Sequence, residues 1–511
     1  MDSNTRIAFN TTILYAQLII TVSVNLFSTR LILNAMGVED YGIVNLVAGI
    51  VAMLSFVQNS MAVSSQRFMS VYMGKHDDAL QKRVFNTSFV LHLMFVVGIF
   101  LLLELCQPMI FNSSIQIPIE RMASTKVLYQ LTILGTLFSI ISVPYDASMN
   151  AHEDMVAFSV ISIVESLIRL SGALILLVHY RDKLVFYGLL IVAISLVTFI
   201  LKYIYCNHNY KEARVKIRQS DRSLMKEMFS FAFWNMFGAC AITGRNQGLA
   251  VILNTFLGVM VNAAYGIAIQ VGGQLSNFTS AITKAMNPQI MQNAGAHNNN
   301  RVVSLALMQC KFSSLLLTVA LVPLFLTLPY VLKLWLNIVP DNCVSFCRCF
   351  LIVNLLMQMT TGLMSAVQSS GKIRNYQVIV SCIIMLNLPI GYLLLRIGYG
   401  SVSVLICMIL LEVSSMVFRA YYVGKIFEMK MMTYFKYVVI PVATTLLLDG
   451  VLSYCFNKLL LGGVSNIGTF AVSCLFSAAV GFALSFVALT SHERTFVIQF
   501  AHQVSKKITR K

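Results

Sequence analysis

The chain has 511 residues, of which 58% are hydrophobic and only 11% charged, and its mean hydropathy is +0.77. No water-soluble fold hides that much apolar surface, so a soluble enzyme or binding module is excluded and a bilayer protein is required. The formal net charge of +17 points to anionic lipid rather than nucleic acid, because the basic residues sit in short loops between apolar segments.

A hydrocarbon core about 30 Å thick takes roughly 20 apolar residues per helical crossing. In chain order, fourteen segments of that size cover 8–34, 42–64, 85–105, 124–149, 155–179, 184–205, 228–256, 260–286, 303–328, 344–369, 375–396, 400–424, 433–455 and 464–490. The first is too long for the apolar part of a signal peptide and no small-residue cleavage site follows it, so it is expected to be retained. Lysines and arginines crowd into alternate loops. The richest loop carries Lys211, Arg214, Lys216, Arg218, Arg222 and Lys226, and the tail ends with Lys506, Lys507, Arg510 and Lys511. This bias predicts that both termini are cytoplasmic.

The chain also repeats itself faintly. Leu33-Asn34, Gly37-Val38 and Tyr41-Gly42-Ile43 recur as Leu253-Asn254, Gly258-Val259 and Tyr265-Gly266-Ile267, at offsets of 254 − 34 = 220 for the asparagines and 265 − 41 = 224 for the tyrosines. Gly74-Lys75-His76-Asp77-Asp78 recurs as Gly295-Ala296-His297-Asn298-Asn299, and the approach to Asn150-Ala151 resembles that to Ser370-Gly371. Matches in order, at nearly constant offset and at the same places in the hydropathy pattern, point to an internal duplication. Six segments separate matching helices. Because six is even, the halves run in parallel through the membrane. The expected organisation is a six-helix lobe over 1–206, a basic cytoplasmic linker over 207–226, a second six-helix lobe over 227–427, an additional helix pair over 428–490 and a basic cytoplasmic tail over 491–511.

No outer loop exceeds about 18 residues, which argues against a membrane glycosyltransferase, polymerase or ligase with an external catalytic region. The eleven cysteines are dispersed, and Cys343, Cys347 and Cys349 lack zinc-site spacing and a nearby histidine. A Walker-type glycine loop is absent too, so neither a metal, a nucleotide nor another cofactor is expected.

Function should then lie in polar groups inside the spans, where an ionisable side chain costs on the order of 3 kcal/mol and faces a cavity or a partner. Arg30, Glu165, Arg169, Arg245, Lys311 and Glu412 fall there, with cations outnumbering anions. Should several face one cavity, that cavity suits an anion. Gln17, Thr21 and Asn25 share a face at intervals of four, and at the offset of 220 Asn25 matches Arg245, which Asn246 follows. Gln270, Gln274, Asn277 and Lys284 form a second polar stripe. Such stripes line cavities or bond helix to helix. Glu165 and Arg169 are spaced for an ion pair within one helix, either structural or a gate; Glu412 is a further candidate for coupling.

The stretch from Ser28 to Gly49, followed by Ser64-Ser65-Gln66-Arg67-Phe68 and Gly74-Lys75, resembles the N-terminal region of bacterial polysaccharide flippases, the Wzx-like members of the MOP exporter superfamily related to MATE transporters. One departure is Arg30, which stands seven residues before Gly37 where many relatives keep the arginine closer. The resemblance implies an all-α polytopic fold of about fourteen transmembrane helices, with two six-helix lobes in a MATE-like V and an extra C-terminal pair. It implies a bacterial inner-membrane protein, not an enzyme, that moves undecaprenyl-diphosphate-linked oligosaccharide to the periplasmic leaflet for surface polysaccharide such as O-antigen or capsule. Its partners would be that substrate, membrane lipids and other polysaccharide assembly proteins. On this reading Arg30, Arg245 and Lys311 contact the diphosphate and Gln17, Asn25 and Asn246 the sugars, with Thr21, Gln270 and Gln274 as further substrate-binding residues. The alternative within the same fold is a cation-coupled MATE-type multidrug exporter, which should hold carboxylates in its cavity.

Overall fold

A computed structural model describes residues 3–52, 55–111, 118–178, 182–336, 339–491 and 493–495, and these are helical apart from connecting turns. The four basic residues that end the tail, Lys506, Lys507, Arg510 and Lys511, lie outside the described residues. In order the helices are α1 Ser3–Ala52, α2 Ser55–Gly74, α3 Asp78–Phe111, α4 Met122–Ala151, α5 Met155–Val178 and α6 Lys183–Asn209. They continue as α7 Arg222–Leu257, α8 Val259–Gly295, α9 Asn299–Leu336, α10 Cys343–Gln358, α11 Thr361–Ser370, α12 Arg374–Met385, α13 Asn387–Arg396 and α14 Ser401–Phe427. The last are α15 Met431–Tyr434, a π turn at Phe435–Val439, α16 Ile440–Leu459 and α17 Ile467–Ala488.

Among the described residues ten helical stretches are long and apolar enough to cross a membrane, and α10 with α11, bent by 41°, makes an eleventh. The other three expected spans, 42–64, 228–256 and 260–286, fall on the second half of α1 with α2, on α7 and on α8. Asn235, Arg245, Asn246, Gln270, Gln274 and Asn277 on α7 and α8 show why composition alone does not carry these helices through lipid.

The chain divides into two compact units, Phe9–Met236 and Phe237–Lys511 joined by Met1–Ala8, with the division inside α7. In the first, α4 packs closely on α6 through Gly135 and Gly188, where an added Cβ would lie 2.8 Å from Ile191 and from Leu131 respectively. Small residues of this kind let membrane helices approach. Leu128, Tyr129 and Ile133 centre the core of this unit, and Tyr41 packs against it. In the second, Leu249, Leu253, Tyr265, Phe346 and Phe350 form the core, so the paired tyrosines Tyr41 and Tyr265 both pack into their own unit.

The repeated residues adopt the same backbone. Gly37 has φ 80° and ψ 171°, Gly258 has φ 81° and ψ 178°, and each breaks a long helix in the same way. That region of φ/ψ space belongs almost solely to glycine. His76 and His297 are likewise left-handed, at φ 54° and 56°. The third pair is out of register: the left-handed residue is Glu153 in one copy and Gly371 in the other, an offset of 371 − 153 = 218. No atom lies within 4 Å of a Cβ placed on Gly258, so Gly258→Ala should cost backbone strain alone, about 1–3 kcal/mol, read as a lowered unfolding temperature in detergent.

Prolines free carbonyls that other side chains then take up. Pro329 in α9 cannot bond the carbonyl of Phe325, which accepts instead from Arg348 Nε at 3.4 Å. Pro441 leaves the carbonyl of Tyr437 without its helical donor, at the π turn.

Candidate functional site

The residues that drew attention in the sequence separate into three settings. In the second unit, Arg245 on α7 is 4% exposed and lies 3.7 Å from Glu412 on α14. The same carboxylate lies 3.5 Å from Arg419, two helical turns further along α14. Arg419 also donates to the hydroxyl of Thr360 at 2.5 Å, between α10 and α11, and Arg245 Nε donates to Asn246 at 3.2 Å. Tyr265 and Tyr376 complete the surroundings. Among the described residues no other carboxylate forms an ion pair with either arginine, so two cations share one anion and one positive charge is left over. Glu412 Oε1 makes no hydrogen bond, which marks the cluster as held by charge more than by directed contacts.

Arg419 is the residue that sequence reasoning passed over. Its signal is a spacing of seven from Glu412, which puts both on one helical face.

On α8 the expected stripe is exposed at Gln270, Gln274, Asn277 and Lys284. Bonding between helices is the work of other residues on the same helix. Ser276 donates to Asn354 at 2.6 Å, Ser365 to Asn287 at 2.7 Å, and Gln309 joins the latter pair at 3.3 and 3.4 Å. The amide side chains left exposed on this face of α8 would lack hydrogen-bonding partners in lipid. Gly266 and Gly273 lie along that exposed face, and Gly42 and Gly49, which precede them by 224 residues, are exposed on α1.

Lys311 on α9 is engaged elsewhere. It is 1% exposed, donates to Glu493 at 2.8 Å and lies 4.5 Å from the Tyr437 ring centre. The hydroxyl of Tyr437 donates to the other oxygen of Glu493, and Thr490 supplies that carboxylate with a backbone N–H at 2.7 Å. Sequence reasoning finds neither Glu493 nor Tyr437, because their meeting depends on the π turn.

In the first unit Arg30 and Asn25 are exposed on α1, Gln17 is half-buried and Thr21 is buried with its hydroxyl donating to the carbonyl of Gln17 at 2.9 Å. Glu165 and Arg169 form the expected pair within α5 at 3.5 Å, both half-buried. The basic stretch after α6 is pinned down: Lys216 N–H donates to Asn86 at 2.5 Å and Asp221 N–H to Thr87 at 2.9 Å. His152 contacts Glu212 at 2.5 Å and stacks on Tyr210 at 4.0 Å. Burial pushes the Glu212 carboxyl up, but the hydrogen bond from His152 and its charge outweigh that and hold it below the usual carboxylate value. Lys211, Arg214, Lys216, Arg218, Arg222 and Lys226 all point outward.

Residues 9–294 match the family model described as polysaccharide biosynthesis protein. None of the curated proteins matches the chain. Among solved structures, an outward-facing multidrug resistance MATE family transporter of the MOP superfamily superposes with a TM-score of 0.73 at 13% identity, over 84% of this chain and 96% of that one. A MATE protein in its straight conformation gives 0.72 at 13% identity, over 84% and 97%. A MOP superfamily transporter from Pyrococcus furiosus, described as having a binding pocket of reverse polarity that suggests a different function, gives 0.71 at 12% identity, over 84% and 98%. At these identities the likeness is one of fold.

Proposed function

Because the chain belongs to the polysaccharide biosynthesis protein family and has a MATE-like, multi-pass membrane fold, we propose that it is a flippase for a lipid-linked oligosaccharide and not a catalytic enzyme. The carrying observation is the surplus positive charge of the Arg245, Glu412 and Arg419 cluster. A lipid diphosphate is an anion joined to an uncharged sugar chain. Guanidinium groups pair with the first, and amide side chains such as those of Asn246, Gln270 and Gln274 hydrogen-bond the second.

In this proposal the lobes 1–206 and 227–427, joined by the linker 207–226, alternate access across a bacterial inner membrane with both termini cytoplasmic. The helix pair 428–490 and the tail 491–511 are additions to them. Arg30 and Arg245 meet the diphosphate, and Gln17, Thr21 and Asn25 join the amides along the sugar path. Lys311 takes part only when Glu493 gives it up. Glu165 with Arg169, and Glu412 between its two arginines, are the pairs that would exchange partners during the cycle. Undecaprenyl diphosphate-linked glycan for surface polysaccharide is the substrate class, with membrane lipids and other assembly proteins as partners.

A drug exporter for organic cations would call for free carboxylates. Within the spans of the two lobes Glu165, Glu412 and Asp146 are instead paired with cations, Asp146 with Lys202 at 2.7 Å, and Glu104 accepts from the Gln130 amide at 3.2 Å; the unpaired Asp449 lies outside the lobes, on α16. In proteoliposomes carrying an undecaprenyl-diphosphate-linked oligosaccharide, the wild-type chain is expected to move the lipid between leaflets and Arg245→Ala to lose at least tenfold in rate. No movement by the wild type with any lipid-linked sugar would sink the flippase reading; equal rates would remove Arg245 from it.

A further inference from the structure

Helices α16 and α17 form a hairpin whose seam is polar. Starting from Asp449, which is fully buried on α16, steps of four reach Ser453 and Asn457, both buried. On α17 the buried residues at the same spacing are Ser473, Ser477 and Gly481. The register is fixed at two points: a Cβ on Gly481 would lie 2.8 Å from Asp449 Oδ2, and Phe456 stacks on Phe476 at 3.8 Å. Antiparallel stepping then sets Ser453 against Ser477 and Asn457 against Ser473. The third wall is α9, whose Val319 Cα would lie 3.4 Å from the same Cβ.

Asp449 Oδ1 accepts from Ser453 at 3.0 Å, while Oδ2 has no hydrogen-bond partner although Ser477 lies beside the carboxyl. The hydroxyls of Ser473 and Ser477 and the amide oxygen of Asn457 are also without partners. Among the described residues no lysine, arginine or histidine comes within ion-pair distance of Asp449. The titratable and basic groups on the surrounding elements are Tyr454, Cys455 and Lys458 on α16, Cys474 on α17, Arg301, Cys310, Lys311, Tyr330 and Lys333 on α9, and Lys436 and Tyr437 in the π turn. Lys311 and Tyr437 are taken by Glu493, and Lys458 lies 5.9 Å over the Tyr454 ring.

A bare carboxylate in this seam would be a fully buried charge without a counter-ion, which costs far more than a buried neutral acid. We infer that Asp449 is a proton-binding site, its Oδ2 carrying a proton that is donated to the Ser477 hydroxyl while α16, α17 and α9 are packed together. The seam has no room for a hydrated ion: at Gly481 even a methyl group would touch the carboxyl. Protonation satisfies the orphaned oxygen, and loss of the proton sets a charge in the seam and favours its opening. The hairpin is thus a proton-dependent element.

Infrared spectroscopy of the chain in lipid nanodiscs, titrated from mildly acid to mildly alkaline pH, reads this without any transport substrate, so its outcome is independent of the flippase assay. The wild type is expected to show the C=O stretch of a buried protonated carboxyl that is missing from Asp449→Asn and that shifts in frequency in Ser477→Ala. Asp449→Asn, which imitates the protonated acid in shape, is expected to fold and to lose the wild type's fall in unfolding temperature with rising pH. Identical carboxyl bands in the wild type and Asp449→Asn would overturn the assignment. Should Asp449→Asn not fold, an unmoved band in Ser477→Ala would do so equally.

Discussion

Glu412→Ala is expected to strip most of the folded protein from membranes, whereas Arg245→Ala is expected to leave it there. The reason is charge arithmetic in a buried place. Arg245, Glu412 and Arg419 are 4%, 2% and 7% exposed and carry +1, −1 and +1. Removing the glutamate leaves two like charges facing each other with no anion, and breaking a buried pair in this way costs about 3–5 kcal/mol. That is a large share of the roughly 5–15 kcal/mol that holds a typical fold together. Removing Arg245 leaves Glu412 with Arg419 and cancels the local charge. The check is the yield of monodisperse protein after detergent extraction, together with its unfolding temperature. Equal losses from both substitutions would show that Arg245 is also held for stability, and the argument for a surplus cation would fall.

The second large effect is expected at Lys311 and Glu493. Both are buried, so Lys311→Ala or Glu493→Ala alone should cost about 3–5 kcal/mol, while the double substitution to methionine, which removes both charges and fills the space, should cost far less than their sum. The pair also predicts an acid response. Burial raises the Glu493 carboxyl, but hydrogen bonds from Lys311, Tyr437 and the Thr490 backbone, with the charge of Lys311, more than offset this and hold it below the usual glutamate value. A carboxylate lowered in the folded state contributes stability that is present above its unfolded value and lost as pH falls through the folded one. The anchoring of the segment after α17 should therefore weaken in acid below the ordinary glutamate range, and Glu493→Gln should remove that dependence. Unfolding temperatures of wild type and Glu493→Gln across acid pH measure it; parallel curves would refute it.

What the sequence reveals depends on how local the cause is. Gly37 and Gly258 are legible because a backbone conformation that only glycine adopts is written in one residue, and duplication writes it twice. Glu165 and Arg169 are legible because a helix brings residues four apart together. Glu412 and Arg245 are 412 − 245 = 167 residues apart, and nothing in their own neighbourhoods says that they meet. The same holds for Lys311 and Glu493, where a π turn places the tyrosine that bridges them. The spans 228–256 and 260–286 are less apolar than the others, and these two helices, α7 and α8, carry Arg245 and the amide stripe. Polar residues inside a span blur the hydropathy signal of the helix that holds them.

The stretch between α6 and α7 has a consequence of its own. Its backbone is fastened to Asn86 and Thr87, and its four basic residues, Lys211, Arg214, Lys216 and Arg218, are all exposed. A floppy basic loop surrenders conformational freedom whenever it settles on anionic head groups, and that loss offsets part of the roughly 1 kcal/mol that each basic residue gains near such a surface. Here the ordering is completed during folding. Against an anionic bilayer such a stretch would present charges already in place, so adhesion would scale with their number and the height at which the protein rode would be set by where α3 holds them.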